Sequence, residues 1–480
     1  MQGKKDHSSK LYYNVTLEKL VPTNHIIRKI DEALDLDFLY KDTEQFYSHE
    51  GKPSIDPVVL FKIYIIGYFF GISSERQLFR DIQVNLAYRW YLGYDIDEEI
   101  PDHSIMTKSR NRFPRDVFEN LFKRIINECK KQGLISGDYY FLDSSLIRAN
   151  TSKESYRAKL KNTCDYLADI QATEEKAVQF SGTVFDGIPN PEKMGKRRNR
   201  LKKNNTFESQ TDKDAEIITR PGKGSFPSYK AHVCVDRKRR VITAIDGSKA
   251  SDDDMSKIHD LYTASLFVVG KKPMMITADS HYGGVESLKY FQDQNIETCI
   301  PPRIPDNLQG KYKNTDFQIV NDGKNLSCPA GHLSTQRMNH KYRIQYAWSK
   351  TTCNACAIKE KCTNSENGRL VSFYQGSYFL NAIALTKSEK GRKLLRARQI
   401  IVEGVIGEAK MWHLLGRCKY RGLEKLKIQL FMTASVINLK RLVQWGHTKV
   451  NKPVKALRKM TCEFDPHFFM LFITRHSPIG

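Results

Sequence analysis

Residues 273–284 read PMMITADSHYGG, and the fold turns on them. Met274 to Ala278 carry no charge and make a buried strand that ends in Asp279, and Gly283 and Gly284 supply the turn that follows. Downstream, Gly284 to Gln294 predicts a helix and IETCIPP (296–302) a further strand. Upstream, Asp252–Asp254 put negative charge at the start of a helix that SKIHDLYTASLF (256–267) continues. Before it come two strands, Tyr229–Val235 and Arg240–Ile245, joined by a tight charged turn. In the first, Ala231, Val233 and Val235 alternate onto one face. Earlier still, YYFLDSSLI (139–147) is a strand-type run interrupted by one acid, Asp143. Three strands, a helix, a strand, a helix and a strand make an α/β order around one open sheet.

Asp143 and Asp279 therefore sit in or at the end of apolar strands. An ionised carboxylate there is costly unless it meets a cation or a base. Open α/β sheets hold ligands near the carboxyl ends of their strands. Two aspartates from neighbouring strands could share hard cations, Mg²⁺ or Mn²⁺, which prefer oxygen ligands. A pair of such ions suits an in-line phosphoryl displacement, activating the attacking oxygen and stabilising the leaving one. The plainer reading of a strand-end aspartate is a turn or cap residue, as Asp236 and Asp246 look to be.

A third ligand is expected from a helix packed on the sheet. RARQIIVEGVIGEAKMWHLL (396–415) offers Glu403, with Arg396 seven residues before it and Lys410 seven after. Those intervals are close to two turns, so all three share nearly one face, metal in the middle and phosphates to either side. Val402 and Ile406 favour Glu403 over its rival Glu408. An exposed stripe of helix charges is the alternative.

Composition is that of a globular protein, with 40% hydrophobic and 11% aromatic residues. Charge is less ordinary: 77 Lys+Arg against 54 Asp+Glu gives +23, which calls for a polyanionic partner. Residues 391–460 alone hold 17 Lys+Arg and 3 Glu, so DNA is expected to run along Arg396, Lys410, Arg417, Lys419 and Arg421. KMGKRRNRLKK (193–203) has seven basic residues and no acid, including Lys196, Arg197 and Arg198. It reads as an arm on nucleic acid or as a solvated charge run. PDHSIMTKSRNRF (101–113) lies between two apolar helices, Val58–Ile72 and Phe118–Cys129. Pro101 and Asp102 suit a helix start, from which Lys108, Arg110 and Arg112 would project to DNA or simply to solvent. The N-terminus MQGKKDHSSK is polar, and the longest apolar run, Val58–Ile72, is short for a membrane span and carries Lys62. A cytoplasmic, nucleoid-associated protein with no membrane partner is expected.

Four of the ten cysteines fall within 35 residues: Cys328, Cys353, Cys356 and Cys362. CPAGH followed by CNACAIKEKC offers four thiolates suited to tetrahedral Zn²⁺, with His332 able to replace one. Reduced unliganded thiols and a redox role stand beside structural zinc. Trp348, in the same segment, reads as a core residue rather than a stacking platform.

The ordered set FLDSSLIRAN (141–150), TDKDAEI (211–217) with SYKAHVCVD (228–236), ITADSHYGG (276–284), and RARQIIVEGVIGEAK (396–410) with KYRGLEKL (419–426) resembles bacterial insertion-sequence transposases. These are the DDE type, with an InsH-like N-terminal domain and a ribonuclease-H-like catalytic core. The resemblance runs from about Leu20 to Trp445. It implies Asp143, Asp279 and Glu403 as catalytic acids, Mg²⁺ as the metal, and transposon terminal repeats and target DNA as substrates. It also implies an insertion between the second and third acids; separately, a homo-oligomer, a dimer, is expected on DNA. Glu403 and Lys410 keep the spacing of the family's Tyr-Arg-Glu-Lys signature. The arginine's place is taken by Gln399, Arg398 falls one residue early, and no tyrosine stands in position, so those two roles stay open. The implied organisation is a helical DNA-binding domain (1–135), a first catalytic part (136–302) with a basic loop (151–225), a β-rich insertion with the cysteine cluster (303–390), a second catalytic part (391–446) and a basic tail (447–480). A catalytically inactive DNA-binding regulator and a structure-specific nuclease without strand transfer are the alternative functions.

Overall fold

The computed structural model describes residues 16–48, 50, 54–158, 204, 207–220, 222, 224–302, 311–340, 343–374 and 377–450. Lys196, Arg197 and Arg198, with the whole of 193–203 and the tail from 451, lie outside the described residues.

The chain begins with helices: α1 Leu17–Leu20, α2 Ile26–Ala33, α3 Phe38–Thr43, α4 Pro57–Phe69, α5 Glu75–Val84, α6 Leu86–Leu92, α7 Ser104–Arg112 and α8 Arg115–Lys131. Asp56 starts α4, its carboxylate accepting from Val58 N at 2.7 Å, with Pro57 in the first turn. Phe61 and Ile63 to Ile66 are buried, because a helix apolar on all sides must be enclosed. The apolar stripe of α8 (Phe118, Leu121, Phe122, Ile125, Ile126) is buried as its spacing predicts.

Eight strands follow: β1 Tyr139–Arg148, β2 Tyr156–Ala158, β3 Phe207–Ser209, β4 Glu216–Arg220, β5 Gly224–Asp236, β6 Ile242–Lys249, β7 Met275–Thr277 and β8 Glu297–Cys299. β2 and β3 form a separate pair, and the rest make one mixed sheet in which β5 contacts β4, β6 and β1, and β7 joins β1 to β8. β5 is antiparallel to β1, while β1, β7 and β8 are parallel. α9 (Ile258–Val269) and α10 (Val285–Asp293) form the crossovers into β7 and β8. β5 begins five residues earlier than its alternation suggests, since Gly222 and Gly224 adopt positive φ and fold 216–228 into a hairpin.

An inserted segment carries β9 Gln318–Val320, β10 Asn325–Ser327, β11 Gln336–His340, β12 Arg343–Ala347, the short helices α11 Lys350–Asn354 and α12 Lys359–Cys362, and β13 Leu370–Tyr374. Three helices close the described chain: α13 Ser377–Lys387, α14 Glu389–Trp412 and α15 Leu423–Val450. Helices thus resume ten residues before the expected Lys387.

The two faces of the sheet bury different helices. Tyr140 and Leu142 of β1 point to a cluster formed with α9, α10 and α13 through Leu261, Phe291 and Phe379. Phe141 and Ile147 point the other way, into a core shared with α14, α15 and the N-terminal helices. That continuous core joins Tyr64 and Phe118 to Val233 and Leu430, so the N-terminal helices are packed against the sheet and not separate from it. Asn438 on α15 bonds both the N–H and the carbonyl of Ile242 at 2.8 Å, which fixes the helix to β6. Among the described residues no helix is long and apolar enough to cross a membrane.

Candidate active site

β1 and β7 run parallel with Phe141 beside Thr277. Asp143 and Asp279 each lie two residues further on, so the register brings Asp143, in the middle of β1, beside Asp279, just past the carboxyl end of β7. Asp279 also starts the short turn Ser280–Tyr282, its carboxylate accepting from His281 N at 3.0 Å. The aspartate is therefore both a turn residue and a strand-end acid. Asp143 accepts from Ser144 N at 2.8 Å. Burial pushes its carboxyl above the usual carboxylate range; the Arg398 guanidinium opposes this, and the charge on Asp279 adds to it. Two carboxylates that feel each other in a half-buried setting leave negative charge for a cation to neutralise.

Arg398, on α14, supplies part of that cation: its Nη1 lies 2.9 Å from Asp143 Oδ2. Lys410, on the same helix, donates to Ser145 Oγ at 2.6 Å and to Leu146 O at 3.0 Å. α14 is thereby fastened to β1 at both ends of the segment that carries Glu403. Glu403 itself is exposed, as is Arg396. The shared face of Glu403 and Lys410 follows from their seven-residue interval. Among the described residues no three His, Cys, Asp or Glu side chains are gathered closely enough to hold a metal ion, so Glu403 does not converge with the two aspartates. Glu408 has different partners: Lys440 at 2.8 Å and Arg441, both on α15.

The basic residues expected on DNA divide into exposed and buried. Lys108, Arg112, Arg417 and Arg421 are exposed. Arg110 corrects the expectation that α7 presents all its cations outward. It is buried, paired with Glu75 at 2.6 Å, with its guanidinium 4.3 Å from the centre of the Tyr420 ring. Four residues on from buried Met106, Arg110 is carried onto the packed side of this short helix. Lys419 is half-buried beside Tyr68 and Tyr420, and burial brings its ammonium down to about 8.

In the inserted segment, Cys328, Cys353, Cys356 and Cys362 line one small pocket with His332 and Arg369. Burial pushes the Cys362 thiol up, Arg369 opposes this, and the nearby thiols of Cys353, Cys328 and Cys356 add to the rise. All four are free thiols. Trp348 is a core residue, donating from Nε1 to His332 O at 2.9 Å.

The sheet with its two neighbouring acids, the helix fastened across it and the helical region packed against it define a mixed α/β protein. Residues 15–112 match the family described as Transposase domain (DUF772), and residues 327–443 match the family described as Transposase DDE domain. The protein is a DNA transposase of the DDE class, of the insertion-sequence kind. Enzymes of this class use divalent metal ions in general. A comparison with curated proteins gives no match. Among solved structures, a piggyBac transposase synaptic complex with hairpin DNA is similar at 9% identity and a TM-score of 0.35, covering 92% of this chain and 76% of that one. So remote a likeness bears no weight here.

Sequence reading left Arg398 without a role because it stands one residue from the signature position. It also passed over Tyr282 and His232, which lie behind the two acids. The adjacency of Tyr282 to Asp279 in DSHYGG was the available signal for the first of them.

Proposed function

We propose that this transposase cuts at the terminal repeats of its element and joins the ends to target DNA by metal-dependent phosphoryl transfer, with Asp143, Asp279 and Glu403 as its acids. The observation that carries the reading is the β1–β7 register, which sets Asp143 beside Asp279 where β7 ends and its turn opens to a ligand. The sheet order β6-β5-β1-β7-β8, with β5 antiparallel, supports a ribonuclease-H-like core.

The two aspartates fit a hard divalent cation: both offer oxygen, they sit in mutual repulsion, and Arg398 is the cation seen against Asp143. Mg²⁺ or Mn²⁺ bound there, as one ion or two, would activate the attacking oxygen and stabilise the leaving one. Glu403 rests on the family resemblance and on its place along α14 between Arg398 and Lys410. Within the chain, Arg398 holds Asp143 in orientation and Lys410 holds the helix on the strand. The exposed Arg396, Arg417 and Arg421 are suited to phosphates of double-stranded DNA, as are Lys108 and Arg112. A homodimer on DNA in the bacterial cytoplasm belongs to the same reading.

The cysteine pocket fits structural zinc in donor chemistry alone: four thiols and His332 line it, but no three of these side chains are gathered closely enough to hold an ion, so zinc would have to draw them together. Its contribution would be to the fold of the inserted segment rather than to the reaction.

The test is incubation of purified protein with element-end DNA and Mg²⁺, followed by mapping of the products. Cut ends joined to target are expected, and cut ends without joining would favour the nuclease instead. Asp143→Asn, Asp279→Asn and Glu403→Gln should each lower cleavage by about 100-fold or more while end binding persists, since supporting residues around metal ligands alone cost 10–100-fold. Cleavage near the normal rate in any variant would remove that residue from the site.

A further inference from the structure

Behind the two acids lies a buried polar chain. Tyr282 and His232 are both fully enclosed, at 0% exposure. His232 on β5 is the direct antiparallel partner of Ser144 on β1. Its Nδ1 lies 3.3 Å from the Tyr282 hydroxyl and its Nε2 lies 2.8 Å from Ser248 Oγ. The Ser248 hydroxyl donates in turn to the carbonyl of Lys249 at 3.1 Å.

One arrangement of protons satisfies these contacts together. Ser248 has spent its hydrogen on a carbonyl, so it accepts from His232, whose Nε2 carries the proton. Nδ1 is then an acceptor, and the Tyr282 hydroxyl donates to it. Burial favours the neutral imidazole, against the opposing pull of Asp254, whose carboxylate lies 3.9 Å from Nδ1. Asp254 is itself held by Lys230 at 2.8 Å.

Tyr282 touches the neighbourhood of both acids. It closes the turn that Asp279 opens, and the Ser144 side chain lies within reach of its phenol. Ser144 N in turn donates to Asp143. The same turn is pressed against the segment bearing Asp254. A Cβ on Gly284 would stand 1.7 Å from Met255 Sδ, so only glycine allows this approach without movement of Met255.

We propose that Tyr282, oriented by its contact with His232 Nδ1, is a positioning residue that sets Asp143 and Asp279 in register for the divalent metal. The proposal rests on the assignment of those two aspartates as metal ligands. Neither Tyr282 nor His232 is a metal ligand or a proton donor to DNA. Their part is to hold the Asp279 turn and the Ser144 peptide at fixed spacing, and a metal site is sensitive to that spacing.

The position of the acceptor gives the test. His232→Asn keeps a polar atom near Nδ1, whereas His232→Gln keeps one near Nε2. Tyr282→Phe removes only the hydroxyl. Full-length protein would be assayed for Mn²⁺ affinity by electron paramagnetic resonance of the free ion, for Mg²⁺ half-saturation of cleavage, and for melting temperature. Tyr282→Phe and His232→Gln should weaken Mn²⁺ binding and raise Mg²⁺ half-saturation by about tenfold, the lower end of what partners of metal ligands cost. His232→Asn should stay within about threefold of wild type in both. Wild-type metal binding in Tyr282→Phe, or a reversed order of the two histidine variants, would overturn the proposal. So would a lower melting temperature with unchanged metal dependence, which would make the chain purely structural. Asp279→Asn, measured alongside, separates this failure from that of the site. If it also binds metal and cleaves normally, the assignment of the acids has failed, and if it is inactive while Tyr282→Phe is normal, only the positioning role has.

Discussion

The acid end of the sheet and the cysteine pocket both gather residues that are far apart in sequence, but they stand on different foundations. Asp143 and Asp279 are set by strand register within a core that runs through both the sheet and the N-terminal helices. The four thiols are set by short strands and two helices of five and four residues, around Phe317, Leu326, Tyr346, Trp348 and Val371. A large core holds polar groups where a ligand is to come, whereas a core of that size gives little stability by itself. If the proposed assignments hold, the acids would receive a metal in a preformed frame, whereas the inserted segment would draw part of its own stability from one.

The largest effect should therefore follow from Cys353→Ser. Structural zinc in small domains contributes on the order of 10 kcal/mol, so loss of one ligand should abolish about one bound Zn²⁺ per chain and open 311–374 to protease. The melting of the sheet should scarcely move. A zinc-free protein with an equally resistant insertion would erase the contrast between the two regions.

Next comes Arg110→Ala in the shared core. It strands Glu75, whose carboxylate is largely buried against Arg110. A loss of about 3 kcal/mol is expected, the lower end for breaking a buried pair. Because the N-terminal helices and the sheet share one core, thermal unfolding should remain a single transition at lower temperature. A separate early transition of the helices would show that they fold independently.

The smallest effect concerns Glu408. Burial alone would raise its carboxyl, but His413, Arg441 and Lys440 outweigh this and hold it well below the usual carboxylate range. Its pairing thus stabilises the fold above the unfolded carboxylate pKa of about 4.3, and the contribution is lost as pH falls below that value. Glu408→Gln should cost about 2 kcal/mol near pH 7, typical of hydrogen bonds to a charged group. The gap in melting temperature from wild type should close on acidification below about pH 4. A gap independent of pH would show that the charge does not matter. Cleavage should survive the change, since Glu408 is bound to α15 rather than turned to the acids.

Much of the sheet was legible because its strands are short apolar runs ended by acids, glycine or charge. The β4–β5 hairpin was not, since Gly222, Gly224 and Pro227 disguise the strand they begin. At the site, Asp143 and Asp279 were readable as costly charges in apolar strands. Arg398 was not, because a linear signature measures spacing and not which side of a helix meets a strand. Arg110 misled for the same reason. In sequence it is one cation of three, and only packing against Glu75 and Tyr420 turns it inward.

By itself the sequence determined the order of the main core strands and helices, the two aspartates in or just after apolar strands, the cysteine cluster and the excess of positive charge. These depend on local periodicity and composition, which each segment carries within itself. Tertiary structure alone decided that Asp143 pairs with Arg398, that Tyr282 meets His232, and that the helical region and the sheet bury a common core. Each of these joins residues from separate segments. Their contact is fixed by register and by the way helices pack on the two faces of a sheet, which no stretch of chain encodes on its own.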